Sequence, residues 1–296
     1  MYDNKLYTLK TLTNLHVGGG DSNYSIIDKQ VQRDVLTGLP TIHSSSFKGA
    51  MKEYIKYSNV SKQDLRKDGE VNEETTRAGD KIIYTIFGTE PNENKKKAGH
   101  VIFSEVKLLS IPVRTSKIPY MNATCPSLIK EYNNICKMYD IDESIKEFSD
   151  NDNYYYADGL SGNIIFEEMD YAIGSSESVK ELEVSLGKNV VLLTDKQFRK
   201  IMKQLPFLAR NYLDNGESKN LFYEEVVPRE SLFYTVIQYP NKNLLNLDKK
   251  DSKAVKHLED FKDTLKDLKF YLGANTSIGY GYCQLTDKAV TMSTKG

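Results

Sequence analysis

The chain has 296 residues, of which 39% are hydrophobic and 27% are charged. Forty basic against 41 acidic side chains leave a net charge of −1, which excludes a protein that attracts polyanions through the charge of its whole surface. The sequence has neither a signal-peptide-like start nor an apolar run of about 18 residues that could span a bilayer. We therefore expect a cytoplasmic protein with no membrane partner.

The first segment, residues 5–17, mixes Leu, Tyr and Thr in partial alternation, which predicts a strand. It runs through His16 into Gly18 and Gly19, the start of a Gly-Gly-Gly turn. Such glycines allow a ligand close to the backbone, but they also serve as simple exit turns. The phosphate-binding patterns GxGxxG and GxxxxGKS are absent, so the glycines alone identify no site.

A helix is predicted next, because Phe47, Ala50, Met51, Tyr54 and Ile55 recur at three- and four-residue intervals. The preceding serines favour a helix start. Lysines at four-residue spacing then form a stripe: Lys48, Lys52 and Lys56. Between 29 and 56 there are five basic and two acidic residues, a local charge of +3. Positive charge is concentrated here, as expected of a polyanion-binding surface.

Two polar segments, 58–80 and 89–99, are predicted as surface insertions, and a third insertion is predicted near 130–160, where 140–158 is locally acidic. Between the second and third of these segments, a strand closed by Pro112 is predicted from residues 101–115, VIFSEVKLLSIPVRT. These interruptions break the regular alternation of strands and helices typical of a doubly wound sheet. We predict an α+β fold, an antiparallel sheet with helices on one face.

The second half begins with a short helix from residue 195 and two extended arms around Asp214-Asn215-Gly216, a predicted hairpin over about 206–226. ESLFYTVIQYP predicts a strand. Apolar residues from Val255 to Leu272 predict one long amphipathic helix ended by Gly273. A glycine-rich loop with Gly279 and Gly281 then leads to a last strand.

Asp28 is a carboxylate close to this predicted phosphate-binding surface. It could hold a divalent ion or accept a proton from an attacking hydroxyl, or it could be an ordinary turn or salt-bridge residue. His16 could stack, contact phosphate or act as a base, although a lone histidine is more often structural. A small phosphorylated metabolite remains an alternative ligand for the same loops.

Five segments in this order resemble the backbone subunit of type III-B CRISPR effector (Cmr) complexes, a member of the RAMP superfamily. They are LTNLHVGGG, IIDKQVQRDVLTGLPTIHSSSFKG, FG…AGHVIFSEVKLLSIPVRT, LFYEEVVPRESLFY and LGANTSIGYGYC. The resemblance covers the whole chain, and the run from Ile27 to Gly49 is its most specific part.

The resemblance implies one RAMP-type domain over 1–296, with a modified RRM-like (ferredoxin-like) core, large insertions and the 206–226 hairpin as a projecting thumb. It implies copies stacked as a helical filament along a guide crRNA, together with other Cmr subunits, in antiviral defence. The implied activity is that of an endoribonuclease that cuts complementary target RNA at regular intervals with Mg²⁺ or Mn²⁺. The alternative is a non-catalytic crRNA-binding scaffold.

Carried over to this sequence, the resemblance makes Asp28 the catalytic and metal-binding residue. The predicted RNA contacts are Lys48, Ser44, Ser45, Ser46, Arg33, Lys52, Gly18, Gly19, Arg114, Arg210, Gly279 and Gly281. Candidate auxiliary residues are His16, Glu224 and Glu225. The chain departs from the family pattern in three places: His43-Ser44 replace the usual Pro-Gly, Ala274 a common glycine, and Tyr280 a frequent basic residue.

Overall fold

The structure, a computed structural model, describes residues 2–21, 27–61, 82–89, 97–167, 174–175, 177–241 and 254–287. Most of the two insertions predicted at 58–80 and 89–99 lies outside these ranges. No helix among the described residues is long and apolar enough to cross a bilayer.

The elements follow one another in a mixed order of strands and helices. They are β1 (Tyr2–Thr11), β2 (Gly18–Asp21), β3 (Lys29–Val31), β4 (Thr41–Ile42), α1 (Ser44–Ser61), α2 (82–87), β5 (Ile102–Phe103), β6 (Val106–Arg114), β7 (Tyr120–Thr124), α3 (Pro126–Met138), β8 (Tyr154–Tyr156), β9 (Gly174–Ser175), a 3₁₀ turn (Glu177–Leu182), α4 (Glu183–Leu186), β10 (Val190–Leu192), α5 (Asp195–Met202), β11 (Phe207–Asp214), β12 (Glu217–Glu225), β13 (Leu232–Pro240), α6 (Ala254–Thr264), β14 (Leu268–Tyr271), a second 3₁₀ turn (Thr276–Ile278) and β15 (Tyr282–Asp287).

The main sheet runs in the order β14-β15-β1-β13-β6-β7-β10-β8-β9 and is largely antiparallel. β1, the third strand in this order, pairs along its length with β13 and at its end with β15. A smaller sheet has the order β11-β12-β3-β2. The prediction of an α+β fold rich in antiparallel strands is therefore confirmed, whereas the RRM-like arrangement stays a prediction.

The helices lie on both faces of the main sheet, so the prediction that they lie on one face is wrong. Residues of β13 alternate between two cores: Phe233 and Ile237 pack with α1, α2 and α6, whereas Tyr234 and Val236 pack with α3 and the 3₁₀ turn at Glu177–Leu182. Helices pack on both faces because β13 is buried at every position from 233 to 237, and a strand whose side chains are buried on both faces must be packed on both.

Two predicted element boundaries are also wrong. The C-terminal helix α6 ends at Thr264, and β14 follows it, with Leu268 and Phe270 buried in a strand alternation. Asp267, at φ 50°, makes the left-handed turn between them. Pro112 does not end β6, which continues to Arg114. The pairing of β6 with β13 ends at Ser110, and the rest of β6 pairs with β7 alone. On the side that β13 no longer covers, the missing N–H of proline is tolerated.

The range 130–160, predicted as an insertion, combines core and loop. Its first part belongs to α3, where Tyr132 and Cys136 are buried against the sheet. Residues 141–153 have no regular secondary structure and are mostly exposed, whereas Tyr154–Tyr156 return to the sheet as β8. The acidic stretch is thus a loop between two integral elements.

The two arms around Asp214 form an antiparallel hairpin, β11–β12, as the sequence predicts. Asn215 at φ 51° and Gly216 at φ 85° make its two-residue turn, the geometry that Asn-Gly favours. The base of the hairpin joins β3 through a parallel bridge between Glu224 and Lys29. This pairing brings the hairpin to the Asp28 segment. Its role as a thumb stays a prediction.

Candidate nucleic-acid interface

A groove of about 750 Å³ brings together three segments that are far apart in the sequence. We call it the guide groove. Its wall includes Gly18 from β2, Ser45 and Ser46 from the start of α1, and Gly273 and Thr276 from the C-terminal loop. The sequence predicted that the glycine turn, the start of α1 and the loop with Gly279 and Gly281 could line one track; the first two line this groove, but neither Gly279 nor Gly281 is among its lining residues.

Gln32 fastens two of these segments to each other. Its side-chain amide donates to the carbonyl of Gly18 (3.2 Å) and to Ser46 Oγ (2.9 Å), while its Oε1 accepts the His43 N–H (2.7 Å). The N-terminus of α1, which begins at Ser44, is thereby held beside the glycine turn. Unpaired N–H groups at a helix start are suited to phosphate oxygens.

The lysine stripe lies on α1 with graded exposure: Lys48 and Lys52 are half-buried and Lys56 is exposed. Burial, and to a lesser extent the neighbouring charge of Lys52, lowers the pKa of Lys48. A phosphate bound at Lys48 would offset both the burial of the ammonium and its repulsion from Lys52, because a nearby anion favours the charged form of lysine. Lys48 is therefore well placed as an anion ligand at the start of the helix.

The two glycines predicted as RNA contacts in the C-terminal loop differ in environment. A Cβ at Gly281 would lie 1.9 Å from the carbonyl oxygen of Leu272, and its N–H donates to Asn14 O (2.8 Å). Gly279 is exposed, and a Cβ there would meet nothing within 4 Å. Gly281 is thus explained by close backbone packing, whereas Gly279 is open to a ligand.

Asp28 lies in a bend just before β3, and its side chain is exposed. Its Oδ2 accepts the backbone N–H of Tyr223 on β12 at 2.8 Å. The next residue, Lys29, places its ammonium 4.5 Å from the centre of the Phe222 ring. Both contacts attach the Asp28 segment to the hairpin, which holds the carboxylate at the hairpin base while leaving it accessible.

Glu224 is a buried carboxylate that joins three segments, with 1% of its side chain exposed. It pairs with Arg210 Nε at 2.8 Å, accepts from Asn275 Nδ2 at 2.9 and 3.1 Å, and lies 3.8 Å from His16 Nε2. The Arg210 guanidinium also stacks on the ring of Tyr280, 4.8 Å from its centre. These contacts fasten the hairpin to the C-terminal loop.

Glu225, also buried, fixes the other side of the hairpin base. It pairs with Arg33 and accepts the Val31 N–H at 3.0 Å. Arg33 donates in addition to the carbonyls of Gly38 and Met202, and His16 Nδ1 donates to the Glu225 carbonyl (2.7 Å). The structure thus gives Arg33, His16 and Glu225 internal partners, and their predicted roles toward RNA stay predictions.

Arg114, another predicted RNA contact, is 71% exposed and pairs with Glu167 at 3.0 Å. Among the residues that the structure describes, no group of three or more His, Cys, Asp or Glu side chains is placed to hold a metal ion. Asp28 would therefore contribute one carboxylate to a metal site whose other ligands come from elsewhere. Mg²⁺ is commonly bound in this way, with one or two carboxylates, substrate phosphates and water.

One charged surface of the structure was not predicted from the sequence. The outer face of α5 and the turn after it carries four exposed basic residues: Lys196, Arg199, Lys200 and Lys203. Their spacing of three and four residues was visible in the sequence and indicates a single helix face. Gln32 and Asn275 were also missed, because a hydrogen bond across the fold leaves no local sequence signal.

Comparisons with known proteins agree with this fold. Residues 8–284 match the RAMP superfamily. The Cmr endoribonuclease Cmr4 of the CRISPR system of Pyrococcus furiosus is 25% identical over 97% of this chain and 96% of its own. Two solved structures have the same fold. Type III-B Cmr-beta bound to cognate target RNA matches with a TM-score of 0.70 at 22% identity, covering 96% of each chain. Oligomeric Cmr4 from P. furiosus matches with a TM-score of 0.63 at 21% identity, covering 97% of each chain.

The fold thus places this chain in the class of mixed α/β proteins that have the architecture of solved Cmr4 structures. Because the superfamily match extends over nearly its whole length, the chain belongs to the RAMP superfamily.

Proposed function

We propose that this chain is the repeated backbone subunit of a type III-B CRISPR ribonucleoprotein, which binds guide crRNA and cleaves complementary target RNA. The observation that carries the proposal is the position of Asp28, an exposed carboxylate hydrogen-bonded to the base of the β11–β12 hairpin. The relative named an endoribonuclease and the relative solved as an oligomer support an RNA-cleaving subunit that assembles with copies of itself and with other Cmr subunits.

The guide groove is proposed to hold the guide backbone. Helix N–H groups at Ser44, Ser45 and Ser46 and the Lys48 ammonium suit phosphates, which gives binding without sequence preference. Base pairing between guide and target then supplies specificity. In this proposal the RRM-like core carries the groove and successive copies extend it as a filament.

The β11–β12 hairpin is proposed as the thumb that distorts the guide–target duplex. RNA can be cut by attack of its own 2′-hydroxyl when the backbone is held in line with the leaving oxygen. The hairpin would impose that geometry once per subunit, so cuts would recur at regular intervals. Asp28, held by the Tyr223 N–H, would assist removal of the 2′-hydroxyl proton; as the 2′-oxygen bonds to phosphorus, the bond from phosphorus to the 5′-oxygen breaks and that oxygen takes a proton from water.

Asp28 would be the residue of this chain that holds a divalent ion, Mg²⁺ or Mn²⁺. Bound there, it would supply charge stabilisation to the phosphate under attack. The chain's own contribution is to present one exposed carboxylate oxygen at a fixed place beside the hairpin. The second candidate is a scaffold that binds crRNA without cutting.

The test is Asp28→Asn in the guide-loaded protein, with Asp142→Asn as the control, since Asp142 is an exposed aspartate in the loop after α3. We expect Asp28→Asn to bind target RNA normally and to lower the single-turnover cleavage rate by about 10²- to 10⁴-fold. Chelation of divalent ions should abolish cleavage by the wild type. Normal cleavage by Asp28→Asn would reject the mechanism, and no cleavage by the wild type with either ion would favour the scaffold.

A further inference from the structure

We propose that the outer face of α5, with the groove that connects it to Asp28, is a second polyanion site that holds the target strand. The proposal rests on the proposed function and adds a binding surface to it. The face consists of Lys196, Arg199, Lys200 and Lys203, all exposed, while Phe198, Ile201 and Met202 on the opposite side of α5 are buried. The helix therefore has one face for the core and one for solvent, and the solvent face is cationic.

Two adjoining grooves connect this face to the Asp28 segment. One, of about 640 Å³, is lined by Lys196, Arg199, Lys200 and Lys203. The other, also about 640 Å³, is lined by Lys203, Arg114, Phe207 and Ile27, among others. Lys203 belongs to both, and Ile27 immediately precedes Asp28. A strand bound along α5 would thus continue to the proposed cleavage residue.

The charge of this path favours a polyanion. Five basic side chains, the four on α5 and Arg114, face three acidic ones, Asp150, Asp195 and Glu167. The acidic groups are engaged within the protein: Asp150 accepts the Asp195 N–H at 2.8 Å, Asp195 accepts the Ser127 N–H at 2.9 Å, and Glu167 pairs with Arg114. A local excess of two positive charges in a chain of net charge −1 marks the surface as selective for anions.

An aromatic side chain makes RNA a better occupant than an acidic protein. Phe207 is 55% exposed in the groove nearest Asp28, and its ring packs edge-to-face on Tyr223, with centres 5.6 Å apart. Exposed aromatic rings beside lysines are the usual platform for single-stranded bases. Tyr223 is also the residue whose N–H holds Asp28, so a base on Phe207 would lie near the reacting segment.

The path is separate from the guide groove, because the two share no lining residue. The guide groove is built from β2, the start of α1 and the C-terminal loop, and the α5 path from α5, β6 and the base of the hairpin. Variants of one should therefore leave the other intact, which makes the assignment testable by separating guide binding from target binding.

The experiment compares two triple variants of the guide-loaded protein. The test variant is Lys196→Gln, Lys200→Gln and Lys203→Gln; the control is Lys130→Gln, Lys137→Gln and Lys188→Gln, three exposed lysines away from both grooves with the same change of charge. Complementary RNA is titrated at several salt concentrations, and co-purified guide RNA is quantified. We expect the test variant to keep its guide and to bind target about 10- to 100-fold more weakly. The slope of log affinity against log salt concentration should be smaller in magnitude by about 2.

The control variant should match the wild type in both guide content and target affinity. Equal target affinity of test and control variants would overturn the proposal, and so would loss of the guide from the test variant, since the face would then not be a separate site. If the wild type itself carries no guide RNA, the proposed function fails first, and this inference fails with it.

Discussion

The lysine stripe on α1 and the base of the β11–β12 hairpin both carry charged side chains, but they use charge in opposite ways. On α1, Lys48 is half-buried with a lowered pKa, and no ion pair found among the described residues includes it. At the hairpin base, Glu224 and Glu225 are fully buried and each is matched by an arginine. The ammonium of Lys48 is therefore suited to bind an anionic ligand, whereas the paired carboxylates of Glu224 and Glu225 stabilise the fold.

Two residues to which the family resemblance gives the same role have different surroundings in the structure. Arg33 and Lys48 were both predicted to contact RNA, yet Arg33 is bound to Glu225 and to two backbone carbonyls, while Lys48 lies at the open start of α1. A motif position therefore does not reveal whether a cation faces the ligand or the protein. That distinction depends on partners nearly 200 residues away in the chain.

The largest expected effect is at Glu224. Replacing Glu224 by Ala leaves Arg210 without its buried partner and should lower the free energy of unfolding by about 4 kcal/mol, measured by urea denaturation. The control is Glu217→Ala on the same hairpin, where the pair with Lys219 is exposed and should contribute less than about 0.5 kcal/mol. Equal losses in the two variants would mean that the hairpin base is not held by buried charge.

Next in size is the contrast between two glycines of the C-terminal loop. Gly281→Ala combines a φ of 73° with a clash against Leu272 O, and should cost about 3 kcal/mol of unfolding free energy. Gly279→Ala has a similar φ of 89° but open space, and should cost about 1 kcal/mol. Thermal unfolding of both variants checks this, and a Gly279 variant as unstable as the Gly281 variant would contradict it.

The smallest effects concern the lysine stripe. Lys48→Met should weaken guide binding by about 10-fold, and Lys56→Met, at an exposed position, by about 3-fold or less. Filter binding with a guide-length RNA measures both. Similar losses would show that the half-buried position of Lys48 gives it no special part in guide binding.

The pH dependence of guide binding offers a finer test of the same residue. Because the free protein has a lowered Lys48 pKa, binding of a phosphate must take up a proton as the pH approaches that pKa, and affinity should fall from there upward. Lys52→Met removes the neighbouring charge and should raise the pKa, so the fall should begin at a higher pH. A profile that Lys52→Met does not shift would exclude this coupling.

Much of the fold could be predicted from local pattern, and most of the site could not. Alternation identified β1 and β13, and Asp-Asn-Gly identified the hairpin turn. Apolar spacing alone could not separate α6 from β14, because Leu265 and Leu268 continue the helical period across the turn at Asp267. The partners of Glu224 come from residues 16, 210 and 275, a convergence that only the folded chain creates.

The single hydrogen bond between Asp28 and Tyr223 makes the carboxylate part of the hairpin's own frame. Any tilt of β12 would move Asp28 with it, so in the proposed function the protein, and not the nucleotide sequence, would set the position of the cut. In the proposed filament of identical subunits, the distance between neighbouring hairpins would then set the spacing of the cuts. Changing the rise per subunit would change product length, while changing the sequence of the RNA would not.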